Sequence, residues 1–304
     1  MPSRTQGSIH LFRIAGIDVY LHWWWFLIAV YEINSRKGSY SSIGWNVAEY
    51  LALFVIVLMH EFGHALACRQ VGGKADTILL WPFGGVAYVD PPQRPGATLW
   101  SIAAGPLVNV ALLPVFYELL SVSRSQDWSL DARKLLWVLL WRIDLGLLIF
   151  NILPVYPLDG GQILRSLLWF VLGKARSLMA ATVIGFIGIA GFIGLALWKQ
   201  DYWLGFICLY LLMSCWGGLQ HALQLAKVDK LPRRHGFACP SCKVAPPVGD
   251  LWKCGKCGQA FDTFATQATC PYCQTHFDTT KCGECGASHP IEQWATTVLT
   301  PSGL

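Results

Sequence analysis

The chain has 304 residues, of which 54% are hydrophobic and only 13% charged, and its mean hydropathy is +0.43. Soluble domains carry about a quarter charged residues, so this composition excludes an ordinary soluble protein and points to a membrane one. The net charge of +5 discriminates little, because basic loops are common in membrane proteins, and Met1 to Gly16 lacks the apolar core of a cleavable signal peptide.

Six stretches approach the roughly 20 apolar residues that cross a bilayer: about 17–33, 46–68, 97–121, 134–153, 177–198 and 202–224. In the first, His22 and the Trp23-Trp24-Trp25 cluster read as an interfacial anchor. After the second comes "GGKADTILLWPFGGVAYVDPP", whose Gly and Pro residues and apolar clusters predict short strands with turns. Non-helical backbone at that depth must be buried in protein or line a wet cavity. The fourth stretch holds Arg142 and Asp144, which, two apart, face different sides of a helix and do not pair. Cys68, Cys208 and Cys215 lie in spans and read as packing residues.

With six spans both termini share a side. That side collects twelve Lys and Arg in its flanks against six on the other. The excess predicts cytoplasmic termini in the cell (inner) membrane.

The second span contains His60-Glu61-Phe62-Gly63-His64. Two imidazoles four apart share one helix face, so both can bind one Zn²⁺, with Glu61 as general base on a zinc-activated water. A catalytic zinc needs a third protein ligand. The second and fourth spans run the same way, and the fourth ends in "FNILPVYPLDGGQ", which places Asp159 at the depth of the histidines. Pro154 and Pro157 interrupt the helix there, and Gly160-Gly161 are expected to let the backbone turn and aim Asp159 back. Asn151 can hydrogen-bond a substrate carbonyl or a developing oxyanion. Asn109, after a Gly-Pro pair in the third span, is a candidate to support a ligand or contact substrate.

Eight of the eleven cysteines follow Val228 as four C-x-x-C pairs: Cys239/Cys242, Cys254/Cys257, Cys270/Cys273 and Cys282/Cys285. Two such knuckles complete a tetrahedral zinc site. Taking neighbours in order predicts one site from the first two pairs and one from the last two. Both would be structural, since a closed four-thiolate shell leaves no open position. His276 and His289 are superfluous once eight thiolates are counted. Few Lys or Arg lie among the pairs, so a nucleic-acid footprint is absent and protein docking is favoured.

Together, H-E-F-G-H, "WPFGGVA" (81–87), "AAGPLVN" (103–109), Asn151-x-x-Pro154 and Leu158-Asp159-Gly160 resemble the site-2 proteases, zinc intramembrane metalloproteases. "GIDVYLHWWW" (16–25) resembles their six-span prokaryotic branch. The likeness covers about residues 10 to 225, and the tail resembles double zinc ribbon modules. By this resemblance His60, His64 and Asp159 ligate zinc, Glu61 is the catalytic carboxylate, and Asn151 and Pro154 help bind substrate.

The expected architecture is thus a polytopic α-helical membrane protein of about six transmembrane helices with a short β-hairpin insertion. Its divisions are residues 1–227 for the membrane metalloprotease domain, 228–238 for a linker, 239–290 for the double zinc ribbon and 291–304 for a tail. The expected activity is hydrolysis of peptide bonds in or near transmembrane segments of single-span or membrane-tethered proteins. One catalytic and two structural zinc ions serve it, and a strand-like edge near Phe83 to Tyr88 would hold unwound substrate. The alternative is a catalytically inactive scaffold that recruits partners through the ribbons.

Overall fold

Ile17, Val19 and Leu21 alternate with Asp18 and Tyr20, and this period of two buries one face of a strand. The computed structural model describes residues 7–81 and 84–296, and it places these residues in β2 (Ile17–His22), with the three apolar side chains in the core. The chain divides into two units, Met1–Pro91 with Pro95–Leu219, and Pro92–Arg94 with Gln220–Leu304.

In the first unit β1 (Ser8–Ile14) pairs antiparallel with β2, β2 parallel with β3 (Lys74–Trp81), and β3 antiparallel with β4 (Gly84–Asp90). The expected hairpin is thus β3–β4, set in a four-stranded sheet of order β1-β2-β3-β4 that leaves β4 at an edge. The inner face packs on α2 (Ile43–Gln70) through Val57, Ala65 and Cys68.

The expected first span is not one helix. Arg69 near the end of α2 donates to the carbonyls of Ala15 and Gly16. Tyr50 donates to Trp25 O at 2.8 Å, and Arg36 pairs with Glu49 near the start of α2. Residues 15–36 therefore run back along α2 as β2 followed by α1 (Trp24–Ser35). At 1.5 Å per residue α1 is about 18 Å long, short of the ~30 Å of a hydrocarbon core. His22, read as interfacial, is buried and stacks on Trp81 with centroids 4.5 Å apart. Among the described residues five helices are long and apolar enough to cross a membrane: Ile43–Gln70, Pro95–Ser125, Leu130–Ile152, Lys174–Lys199 and Tyr202–Asp229.

These are α2; α3 (Pro95–Ser125); the continuous run of α4 (Leu130–Val138), a π-helical turn (Leu139–Asp144) and α5 (Leu145–Ile152); α7 (Lys174–Lys199); and α8 (Tyr202–Asp229). Between α5 and α6 (Asp159–Leu172) the backbone is non-helical. Val155 from this break packs against Ile189, Leu211 and Cys215 of α7 and α8, which fixes the start of α6.

The second unit has two small hairpins, β5 (Trp252–Lys253) with β6 (Ala260–Phe261) and β7 (Thr280–Lys281) with β8 (Ser288–His289). The expected linker is part of this unit: Arg234 N donates to Pro246 O and Val248 N to Pro232 O. The expected tail contributes as well. Trp294 is 1% exposed in a core with Phe264, Cys239 and Cys282, and Ala295 bridges Phe237.

Candidate active site

His60 and His64 lie one turn apart on the buried face of α2, with Glu61 beside them. Each imidazole is oriented from behind. His64 Nδ1 donates to the carbonyl of Ser101 at 2.9 Å. A carbonyl only accepts, so Nδ1 carries the proton and Nε2 presents a lone pair. His60 Nδ1 donates to Asn109 Oδ1 at 2.6 Å, with the same consequence. The two Nε2 atoms lie 3.1 Å apart, and Asp159 Oδ2 lies 3.0 Å from one and 3.3 Å from the other.

Two lone pairs and a carboxylate oxygen aimed at one point repel each other unless a cation lies between them. Zinc bonds of 2.0–2.1 Å at tetrahedral angles set their donors about 3.3 Å apart, which the observed separations match. Gly105 of α3 makes the approach possible, since a Cβ there would collide with His64 Nε2.

Asp159 arrives as the first residue of α6, so the break at 153–158 does place a carboxylate beside the histidines. The glycines act differently from expectation. Gly160 and Gly161 lie inside α6, where an added Cβ would collide with Ile152 O and Tyr156 N. They admit close packing of the first helical turn on the preceding loop; the turn itself is made upstream. The three donors open onto a cavity of about 440 Å³ lined also by Glu61, Gly85, Ala87, Val89, Asn151 and Tyr210. Glu61 Oε2 accepts the amide of Ala87 in β4 at 2.8 Å, which holds the carboxylate at the cavity wall.

The other expected contacts divide. Asn151 lines the cavity. Pro154 is exposed and is not among the lining residues. Asn109 is fully buried behind His60, so it supports a ligand and does not face the cavity. Of the expected strand edge near Phe83 to Tyr88, Pro82 and Phe83 lie outside the described residues and Gly84 onward forms β4. Ser101 was not legible because its carbonyl does the work, and backbone leaves no signature in sequence.

The family described as Peptidase family M50 matches residues 48–124 and 117–195, a range that includes all three donors and Glu61. The chain belongs to this family, the site-2 proteases. A zinc metalloprotease of Methanocaldococcus jannaschii is 39% identical over 179 residues, which are 59% of this chain and 50% of that protein. Stage IV sporulation protein FB of Bacillus subtilis is 34% identical over 116 residues, 38% of each. The chain thus spans no more than half the length of these curated relatives. Among solved structures, the site-2 protease from Methanocaldococcus jannaschii superposes with a TM-score of 0.52 at 28% identity, covering 70% of this chain and 95% of that one.

In this M50 member the cysteine pairs also converge, but not in chain order. Cys239 and Cys242 meet Cys282 and Cys285, while Cys254 and Cys257 meet Cys270 and Cys273. The pairing is nested, the inner site inserted into the outer, which corrects the sequential expectation. All four knuckles have one backbone design. The amides of Lys243, Gly258, Gln274 and Gly286 each donate to the carbonyl of the cysteine four residues earlier, and all four residues have positive φ. With the knuckles equivalent, nothing in their spacing says which two join; in the outer site Phe237 and Trp294 pack with Cys239 and Cys282. The Sγ atoms lie 3.6–3.8 Å apart across each site. That is the edge of a tetrahedron with 2.3 Å zinc–sulfur bonds and far beyond a disulfide's ~2.0 Å. His276 and His289 are hydrogen-bonded to Thr269 and Ser241, outside both clusters.

Proposed function

We propose that this chain is an intramembrane zinc metalloendopeptidase that hydrolyses peptide bonds in or near transmembrane segments of membrane proteins. The observation that carries the reading is the convergence of His60, His64 and Asp159 beside Glu61 on one cavity. Zinc held there supplies Lewis acidity, polarising a carbonyl and acidifying water. Glu61, at the cavity wall, takes a proton from the attacking water and returns it to the leaving amine. Asn151 donates to the substrate carbonyl and to the oxyanion that replaces it. Catalytic zinc requires His60, His64 and Asp159, and two structural ions occupy the nested ribbon sites.

A helical substrate shields its amides, so it must be extended before it is cut. β4 is an edge strand, and Gly84, Gly85, Val86, Ala87 and Val89 line the cavity. This placement supports addition of an unwound substrate as a fifth strand. We place the protein in the cell membrane as a multi-pass protein with both termini cytoplasmic. The basic flanks support that orientation, and so does the path of residues 15–36 along α2, which restores an even number of crossings. The ribbons would dock protein partners or substrates.

The test is to incubate the purified full chain with single-span candidate substrates, with and without a chelator, beside Glu61→Gln. The expected result is cleavage by the wild type without chelator, lost on adding the chelator and lost in Glu61→Gln. No cleavage by the wild-type chain would leave the scaffold reading standing, and cleavage unchanged by Glu61→Gln would overturn the role given to Glu61.

A further inference from the structure

Asp144 is fully buried in the middle of a membrane-spanning helix, and the proposed chemistry does not use it. An ionisable group at that depth is costly and calls for a function. Arg142, two residues earlier, is exposed, and no ion pair joins the two among the described residues.

The partner of Asp144 is Asn109, whose Nδ2 lies 2.6 Å from Asp144 Oδ1. The other end of the same amide, Oδ1, lies 2.6 Å from His60 Nδ1. Asp144 Oδ2 is buried with no hydrogen-bond partner among the described residues. Asp144 closes the π-helical turn Leu139–Asp144. Such a turn inserts one residue per turn and re-aims the side chains that follow, and it recurs at functional sites.

We propose that Asp144 is a positioning residue for the metal ligand His60, acting through Asn109. The argument is one of hydrogen-bond polarity. An amide has one donating and one accepting end. The Asp144 oxygen facing it accepts, so the amide nitrogen must turn towards Asp144. The amide oxygen is then forced towards His60, where only an N–H can satisfy it. His60 is thereby held with its proton on Nδ1 and its lone pair on Nε2, the atom beside Asp159 and His64. Without an acceptor at 144 the amide can rotate by half a turn and donate to Nδ1. That would place the proton on Nε2 and oppose metal binding. The chain Asp144–Asn109–His60 is a carboxylate–histidine pair lengthened by one amide. His64 needs no such device, because a fixed backbone carbonyl already sets its tautomer.

The inference rests on the reading that His60, His64 and Asp159 hold a metal, and the test separates the two. The full chain in detergent is loaded with cobalt(II) and titrated with a chelator. Thiolate charge-transfer absorption distinguishes the ribbon ions from the ion of the nitrogen–oxygen site. Asp159→Ala is the control: if it leaves the nitrogen–oxygen ion in place, the metal reading itself fails. With that control lost as expected, Asp144→Leu should weaken the same ion about 10–100-fold. Asp144→Asn keeps an acceptor facing Asn109 and should recover most of the affinity. In an Asn109→Ala background, Asp144→Leu should have no further effect, as expected for two members of one chain of contacts. Asp144→Ala replaces Asp144→Leu should the latter not fold. Wild-type affinity in the acceptor-less variant, or a full additional loss on top of Asn109→Ala, would overturn the proposal.

Discussion

The His60–His64–Asp159 centre and the two four-cysteine centres hold their donors at the spacing zinc demands, but they are built from opposite materials. The first draws on α2 and α6, with Nδ1 protons pinned by α3 and the carboxylate placed by a helix break packed on α7 and α8. Each cysteine centre draws on two copies of one short knuckle, closed by its own backbone bonds. Three donors leave a position open to a cavity, whereas four sulfurs leave none. An open centre needs a surrounding scaffold to hold a coordination gap. A closed one needs little besides its ligands, and in so small a unit the metal supplies the stability that a thin core lacks.

If the contrast is right, its largest consequence lies in the ribbons. Metal binding to such modules is worth roughly 10–16 kcal/mol and amounts to their folding energy. Nested pairing predicts that Cys239→Ser with Cys285→Ser costs one ion, whereas Cys239→Ser with Cys254→Ser costs both. Metal counts on the two double variants decide between nested and sequential pairing. The open centre should respond in rate, not in fold: Glu61→Gln is expected to lower turnover by about 10²–10⁴-fold with metal content and melting temperature unchanged. Trp294→Ala removes the largest fully buried side chain of the second unit. It should destabilise that unit by about 3–5 kcal/mol, measured by protease resistance of the tail at fixed zinc. Gly105→Ala should cost about 1–3 kcal/mol as overpacking, read as weaker metal binding at the open centre while the ribbon ions stay. Least of all, Arg233→Ala breaks a partly exposed pair with Glu284, and its effect on unfolding should stay below about 1 kcal/mol.

Legibility in the sequence follows the same division. His60, Glu61 and His64 were readable because a helix turns their spacing into a shared face. Asp159 was readable because prolines mark where the parallel span must break. Asn109 was visible as a polar residue in an apolar helix. Its role was not, since that depends on the amide's two neighbours, one of them the carboxylate of Asp144 on another helix. The N-terminal strand was hidden by hydropathy: residues 17–33 are apolar enough for a span, and only the alternation of Ile17, Val19 and Leu21 betrays β2. The eight cysteines announced their chemistry outright but not their partners, because four equivalent knuckles carry no pairing information. Trp294 sits beyond the last knuckle, where composition gives no hint that the chain folds back into the core.

The most direct test of the central claim is the zinc content of the purified full chain beside its Asp159→Ala variant. About three ions per chain are expected for the wild type and about two for the variant, with both sulfur-bound ions retained. Equal zinc in the two proteins would contradict the assignment of His60, His64 and Asp159 to a single metal.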